Sequence, residues 1–324
     1  MRRLLLLLAL ASSLHADTLL VANRGDSRIT LIDPATMTLL TTIAVGADPH
    51  EIAVSTDGKR AYVSNYGGSF GTTLSVIDVA ARTKLRDVSI APLTGPHGIV
   101  FRNGKVWFTA ERSSAVGRYD PEADRVDWIG RVNPASAHML AVNAWGTTVY
   151  TANISAGTAS IIDVQGTETQ ARKSIPSVTA GEGIALSPDE TELWIGSVGT
   201  GGIAVISLQS ETVVHRIPGV FAYRLTFTHD GRYVLVPRGT TVVVYDRATH
   251  AQLRQLEVGG TVLSVIVAPG DRLAYVAMTN PSRVIKLELA TGAILGETAV
   301  APVPDGLALA IEPPPYVKRR TARH

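Results

Sequence analysis

Three histidines recur along the first half of the chain, each just before a short apolar run. They are His50, His97 and His138, and Glu182 occupies the next equivalent position. Neutral imidazoles can bind a transition metal, and a carboxylate such as Glu182 or Asp48 can complete the ligand set. An imidazole can also transfer protons near neutral pH. These residues therefore indicate a divalent metal site or an acid–base site, if the fold brings them together.

The same histidines also have a plainer interpretation. An imidazole before a strand can hydrogen-bond to loop carbonyl groups, or it can line a channel filled with water. The sequence leaves structural, ligand-binding and catalytic roles open, and a divalent metal ion is the one cofactor that the residues suggest.

A second set of polar residues follows the second strand of several units. Four arginines stand out because turn geometry does not require a guanidinium group, which can bind a carboxylate or phosphate in a two-pronged contact or simply face solvent. Two tyrosines offer stacking surfaces. We predict a binding site formed by His50, His97, His138, Glu182, Tyr223, Arg24, Arg112, Arg224, Arg238, Tyr66 and Glu111.

The elements that would position these residues form an internal repeat. A unit consists of an apolar run, a turn, a β-rich run, a loop and a third run that often ends in Asp. The residues that begin successive units lie 40 to 47 residues apart, a spacing typical of propeller blades. These residues are His50, His97, His138, Glu182, Tyr223, Leu263 and Asp305.

The two ends of the chain predict how the repeat closes. Residues 19–23 begin directly with a second strand, and residues 307–311 form a lone first strand. Joined together, they complete a seventh unit. We therefore predict an all-β, seven-bladed β-propeller of four-stranded antiparallel blades over residues 17–312, closed by pairing of the C-terminal strand with the N-terminal strands.

The repeat resembles a known family. The stretch from Asp57-Gly58 through Tyr62 to Asn65, followed by Leu74 to Asp78, is similar to the YVTN/YncE-type propeller repeat. One unit differs: the segment Gly95 to Val100, with Val106 to Glu111, resembles streptogramin B lyase (virginiamycin lyase) propellers. These resemblances imply the propeller architecture, which hosts many unrelated activities.

The lyase resemblance also implies a site pattern that this chain does not reproduce. That family uses a histidine in one blade and an acid-x-His triplet in the next, with a divalent metal. Here Asp48-Pro49-His50 is such a triplet, but the residue that begins the preceding unit of the closed propeller is Asp305, not a histidine. Gly95 and Ser136 occupy the acid position before the other two histidines. Elimination chemistry of that kind therefore ranks below simple binding.

The two termini predict export and a separate tail. Residues 1–16 combine two arginines, a run of leucines and a small residue at Ala16, which predicts a signal peptide and a periplasmic or secreted protein. Residues 313–324 begin with three prolines and end in a basic segment. After removal of the leader, no segment is long and apolar enough to span a membrane.

Composition excludes several classes of function. The sequence contains no cysteine, which excludes disulfides, thiolate metal sites, thiol nucleophiles and covalent haem attachment. A formal net charge of +2 gives no field suited to nucleic acid, so we expect no nucleic-acid partner.

The sequence therefore favours a monomeric binding platform over an enzyme. Its expected partner is a small molecule, a peptide or a periplasmic protein held at the mouth of the central channel. The alternative is a metal-assisted lyase or hydrolase that uses the ring histidines, and a third hypothesis is an accessory role in a periplasmic redox or export system.

Overall fold

The computed structural model describes residues 17–132 and 136–311. Within them the chain forms seven antiparallel sheets arranged as a ring, which confirms the predicted seven-bladed β-propeller. Both helices in these residues are single 3-10 turns, Arg24–Asp26 and Glu111–Ser113, and neither has the length needed to cross a bilayer. The predicted signal peptide (1–16) and tail (313–324) lie outside the described residues.

In each blade the first-named strand below lines the central channel and the last lies at the outer edge. Blade 1 contains β29 (Pro304–Ala310), β1 (Thr18–Asn23), β2 (Arg28–Asp33) and β3 (Thr38–Ala44). Blade 2 contains β4 (Pro49–Val54), β5 (Arg60–Asn65), β6 (Thr73–Asp78) and β7 (Thr83–Ser89). Blade 3 contains β8 (Pro96–Arg102), β9 (Lys105–Ala110), β10 (Ala115–Asp120) and β11 (Arg125–Arg131).

The other four blades follow the same order. Blade 4 contains β12 (Ala137–Val142), β13 (Thr148–Asn153), β14 (Thr158–Asp163) and β16 (Lys173–Pro176). Blade 5 contains β17 (Gly181–Leu186), β18 (Glu192–Ser197), β19 (Ile203–Ser207) and β20 (Thr212–Ile217). Blade 6 contains β21 (Thr226–Phe227), β22 (Tyr233–Arg238), β23 (Thr241–Asp246) and β24 (Gln252–Glu257). Blade 7 contains β25 (Thr261–Val267), β26 (Leu273–Asn280), β27 (Ser282–Glu288) and β28 (Ile294–Ala299).

The core lies between neighbouring blades. Second strands are almost wholly buried, whereas outer strands such as β7 expose most of their residues, as edge strands do. Between blades 3 and 4 the rings of Trp107 and Trp128 meet edge to face at 5.7 Å and pack with Val149 and Ile162. Because each blade buries both of its faces against neighbours, the strands lack a polar face and read as continuous apolar runs.

The ring closes as predicted from the ends of the sequence. Thr18 pairs with Ala310, and the antiparallel register continues through Leu20 and Ala308. All six residues of β1 are buried. The two ends of the described chain therefore share one blade.

One strand was not predicted. Glu168–Gln170 (β15) leaves the connection between the third and fourth strands of blade 4 and pairs in parallel with β11 of blade 3. The outer edge of blade 3 is therefore covered by its neighbour.

All inner strands run in the same direction across the ring. The face on which they begin is called the upper face, and the face on which they end is called the lower face. Several contain a register shift near their start, for example between Pro49 and Ile52 in blade 2. Such a bulge interrupts the alternation of side chains between the two sides of the strand. Consecutive residues can therefore point into the channel.

Candidate functional site

The starts of the inner strands place the three predicted histidines side by side. Each is buried. The ring centroids of His50 and His97 are 4.4 Å apart, and those of His97 and His138 are 3.8 Å apart. Tyr66, from the loop after β5, packs against His50 at 4.5 Å and His97 at 5.1 Å. The upper mouth of the channel thus contains a contiguous aromatic and imidazole wall.

Arg224 crosses the channel and binds three carboxylates from other blades. Its Nη2 lies 2.6 Å from Oε1 of Glu51 and 3.4 Å from Oδ1 of Asp305, and its Nη1 lies 3.0 Å from Oε1 of Glu182. All four side chains are largely buried. One guanidinium therefore contacts three acids in a region of low solvent exposure, and it ties blade 6 to blades 1, 2 and 5.

Glu51 is the member of this network that the sequence did not reveal. It follows His50 within the bulge of β4, so both side chains reach the channel. Gly306 provides the room, because a Cβ at that position would lie 2.5 Å from the carbonyl oxygen of His50 and 2.7 Å from Oε2 of Glu51. The only signal in the sequence was a carboxylate directly after His50. In a regular strand, neighbouring side chains alternate, so this carboxylate would be expected to point away from the channel.

Burial, more than the neighbouring charges, shifts the pKa of Glu51. Burial raises the pKa of this carboxyl to about 7, and Asp305 adds to the rise, although Arg224 opposes both. Burial alone would also raise the pKa of Glu182, but its contacts with His138 and Arg224 hold it below the usual value. The three acids around Arg224 are therefore not equivalent.

His138 bridges two carboxylates. Its Nδ1 lies 2.9 Å from Oε2 of Glu111, and its Nε2 lies 3.3 Å from Oε1 of Glu182, the latter without hydrogen-bond geometry. Burial disfavours the imidazolium, but the contacts with Glu111 and Glu182 outweigh it and raise the pKa of His138. Tyr66 donates a hydrogen bond of 3.2 Å to the same oxygen of Glu111. The two carboxylates on this side of the mouth therefore stabilise a positive charge between them.

His97 is a neutral imidazole with a buried nitrogen that no described neighbour contacts through a hydrogen bond. Burial, together with the positive charges around it, lowers its pKa well below the usual value, so the ring is neutral. Its Nδ1 is buried and has no hydrogen-bond partner among the described residues. A buried polar atom without a partner costs free energy and calls for an explanation, such as a bound ligand or ion.

His97, Glu111 and His138 form the one group of potential metal ligands found in the described residues. One ligand atom from each lies within 4.8 Å of the others. Ligands on a single Zn²⁺ lie about 3.4 Å apart, because each is roughly 2.1 Å from the ion in a tetrahedron. The 2.9 Å between His138 Nδ1 and Glu111 Oε2 is a hydrogen-bond distance, so an ion would replace the shared proton and move these two atoms about 0.5 Å apart. A modest movement of side chains would complete the set.

Arg24 and Asp48 form the part of the mouth next to His50. The Nε of Arg24 donates a 3.1 Å hydrogen bond to Oδ1 of Asp48, and its Nη1 lies 3.5 Å from Oδ2 of Asp305. His50 lies beside Asp48, with Nδ1 2.9 Å from the backbone oxygen of that residue. Burial lowers the pKa of His50. Asp48 therefore orients Arg24 and His50 and does not join the trio of potential metal ligands.

The remaining predicted site residues are distributed unevenly. Tyr223 lies under the guanidinium of Arg224, 4.6 Å from its ring centre, and is half-buried at the mouth. Arg112 is exposed and lies over Phe70 at 5.1 Å, and Arg238 is exposed with no contact to the described mouth residues. The structure thus brings together nine of the eleven predicted binding residues in one contact network and leaves Arg112 and Arg238 outside it.

Comparisons with known proteins support the architecture. Neither a protein-family model nor a curated protein matches the sequence. A functionally unknown protein from Desulfotomaculum acetoxidans superposes with a TM-score of 0.79 at 14% identity, covering 91% of this chain and 99% of that one. The periplasmic gluconolactonase of Pseudomonas aeruginosa gives 0.72 at 16% identity, covering 92% and 99%. A putative 6-phosphogluconolactonase from Bacteroides uniformis gives 0.72 at 13% identity, covering 90% and 99%. At such identities the likeness shows the fold alone.

Proposed function

We propose that the channel mouth binds a small oxygen-rich molecule with the help of a divalent cation held by His97, Glu111 and His138. The observation that carries this proposal is the convergence of these three side chains, together with the buried, unpartnered Nδ1 of His97. Two imidazoles and one carboxylate form a ligand set found in zinc sites that keep a position open for water or substrate.

The rest of the mouth suits such a ligand. Arg24 and Tyr66 are partly exposed above the trio and can hydrogen-bond to hydroxyl or carboxyl groups. The network of Arg224 lies beneath and fixes the inner strands. Glu182 contacts His138 from the side opposite Glu111, as partners of metal-bound histidines do.

Hydrolysis of a sugar lactone is the second candidate function. The observation that favours it is the neutral imidazole of His97, which has a ring nitrogen within 4.8 Å of a carboxylate oxygen of Glu111. Two proteins of the same fold also carry lactonase names. A cation at this site would polarise a carbonyl oxygen or lower the pKa of a water molecule. The residues themselves would orient the ring, with Arg24 on its oxygen atoms and Tyr66 against its face.

Export to the periplasm, predicted from residues 1–16, belongs to the same proposal. An exported propeller of this kind would meet sugar acids and their lactones outside the cytoplasm. The family resemblance to YVTN/YncE or lyase propellers stays a prediction.

Titration of the metal-free protein with Zn²⁺ or Mn²⁺ in a calorimeter tests the binding proposal. We expect one equivalent to bind, and His97→Ala or Glu111→Gln to abolish stoichiometric binding. His215→Ala is the matched control, because that histidine is exposed on an outer strand and lies outside the mouth. Equal binding by the wild type and both site variants would contradict the proposal.

Lactone hydrolysis is measured separately, by acid release from glucono-δ-lactone at constant pH. We expect turnover that depends on added metal and disappears in His97→Ala but not in His215→Ala. Stoichiometric metal binding without turnover would leave the binding proposal standing and reject the lactonase candidate.

A further inference from the structure

The lower end of the channel contains a second cavity, remote from the mouth. It has a volume of about 510 Å³ and is formed by the inner strands of blades 3 to 6 and the turns that follow them. Ligand pockets commonly have volumes of about 300 to 1,000 Å³. The ring histidines lie at the beginnings of the inner strands, whereas this cavity lies at their ends. The two regions therefore occupy opposite faces of the propeller.

Blade 6 leaves the space open. Its inner strand β21 contains only two residues, Thr226–Phe227, whereas the inner strands of the other blades contain six or seven. The preceding residues instead carry Arg224 into the mouth network. A shorter strand fills less of the channel below that network, and Leu225 and Phe227 form one wall of the cavity.

The walls of the cavity are mostly apolar, although Ser187, Thr226 and Thr228 also line it. Side chains from four blades line it, and several of them are only half-buried although they belong to innermost strands. Apolar surface that faces a cavity of this size stabilises an apolar ligand by removing both surfaces from water. Wall residues that carry this argument are Val100, Ala141, Ile184, Leu186 and Phe227.

The charged residues at the rim of this cavity differ in whether they have a partner. His229 is paired with Asp271 at 2.7 Å, and Glu190 accepts a hydrogen bond from the backbone of Ala144. Arg102, at the end of β8, lines the same cavity, and its guanidinium has no hydrogen-bond or ion-pair partner among the described residues. The rim thus offers one free positive group, next to an apolar interior.

We propose that this lower cavity binds an amphiphilic monocarboxylate, such as a medium-chain fatty acid. The apolar chain of this ligand lies between the walls of blades 4, 5 and 6, and the carboxylate of the ligand binds the guanidinium of Arg102 at the opening. Charge complementarity selects the anion, and a single unpaired arginine selects one carboxylate over a polyanion. This site is independent of the metal and lactone proposals for the mouth.

Another occupant has to be distinguished from this ligand. The described chain ends at Ile311, whose carbonyl oxygen lies close to Gly58 in the turn after β4. That turn also lies on the lower face, and residues 312–324 contain Tyr316 and Val317, two apolar side chains. A full-length variant with Tyr316→Ser and Val317→Ser removes those side chains without shortening the chain.

The test is calorimetric titration of the full-length protein with octanoate and, in parallel, with octylammonium. We expect one octanoate to bind, and octylammonium to bind at least roughly tenfold more weakly. Arg102→Gln should weaken octanoate binding by roughly ten- to a hundredfold, because a hydrogen-bonded ion pair is lost. Arg125→Gln, at another exposed and unpaired arginine, should change nothing.

Variants that fill the cavity provide the second arm. Ala141→Phe should weaken both ligands while the thermal midpoint stays unchanged, and Val100→Phe on another blade provides the same test if the first variant does not fold. Octanoate binding that is absent, or unaffected by Arg102→Gln and by both filling variants, would overturn the proposal. So would a tenfold or greater gain in octanoate affinity in the Tyr316→Ser/Val317→Ser variant, since that result assigns the cavity to the tail.

Discussion

Replacement of Arg224 by methionine tests whether the ion network holds the ring together. Methionine preserves much of the volume of the side chain but leaves Glu51, Glu182 and Asp305 without their shared cation. The contacts that are lost span 2.6 to 3.4 Å and lie in a buried region. Removing one partner of a buried ion pair typically costs about 3–5 kcal/mol, because the remaining charge stays buried and unpaired.

The cost should depend on pH. Without the guanidinium, the folded-state pKa values of the three acids rise, and each unit of rise is worth about 1.4 kcal/mol at a pH above it. A folded state that holds protons more tightly than the unfolded state becomes less stable as pH increases. Arg224→Met should therefore lose about 3–5 kcal/mol of unfolding free energy at pH 8, and clearly less at pH 5.

Urea unfolding followed by tryptophan fluorescence measures both values. Arg125→Met is the matched control, because that exposed arginine has no ion pair among residues 17–132 and 136–311, and its change should stay within about 0.5 kcal/mol. A loss below about 1 kcal/mol for Arg224→Met at both pH values would refute the reasoning, since the network would then contribute little beyond packing.

Three further predictions concern residues around the ring. For Glu51, a folded-state pKa of about 7 exceeds the ordinary value of 4.5, so the folded state retains a proton that the unfolded state loses; stability should fall by up to about 3 kcal/mol between pH 4.5 and 7. Glu51→Gln should flatten that slope in urea unfolding, and an unchanged slope would assign it to another group. Gly306→Ala should destabilise the protein by about 1–3 kcal/mol, because the added Cβ meets the carbonyl oxygen of His50 at 2.5 Å; an unchanged thermal midpoint would disprove this close approach. Leu307→Ala in the closing strand should cost about 2–5 kcal/mol, whereas Leu85→Ala on an exposed outer strand should cost far less; equal losses would mean that closure contributes no special stability.

The architecture could be predicted because it repeats. Seven apolar runs at nearly constant spacing, with an incomplete unit at each end, determine both the number of blades and the manner of closure. β15 could not be predicted, because Glu168–Gln170 is polar and its pairing depends on the edge of a neighbouring blade. The shortness of β21 was also hidden, since Leu225 and Phe227 are apolar residues at the positions where the other inner runs carry them.

The site could be predicted only in part. Ring positions identified His50, His97 and His138, because equivalent positions of a closed repeat must meet. Glu51 could not be identified from the sequence, because a bulge makes its side chain point into the channel, whereas regular alternation would turn it away from the channel. Arg112 lies in the 3-10 turn after β9 and Arg238 is the last residue of β22. The end of a second strand does not fix the direction of a long side chain, and both arginines are exposed.

The seam between β1 and β29 has a consequence for synthesis on the ribosome. Leu20 can meet its partner Ala308 only after nearly the whole described chain has been translated. Until then β1, which carries Leu19, Leu20 and Val21, presents an open apolar edge in an incomplete sheet. Local hairpins of the middle blades can form early, but the last step joins the most distant parts of the chain and is therefore the slow one. Until the final strand is available, this open edge can pair with other chains, so the unfinished chain is prone to aggregate.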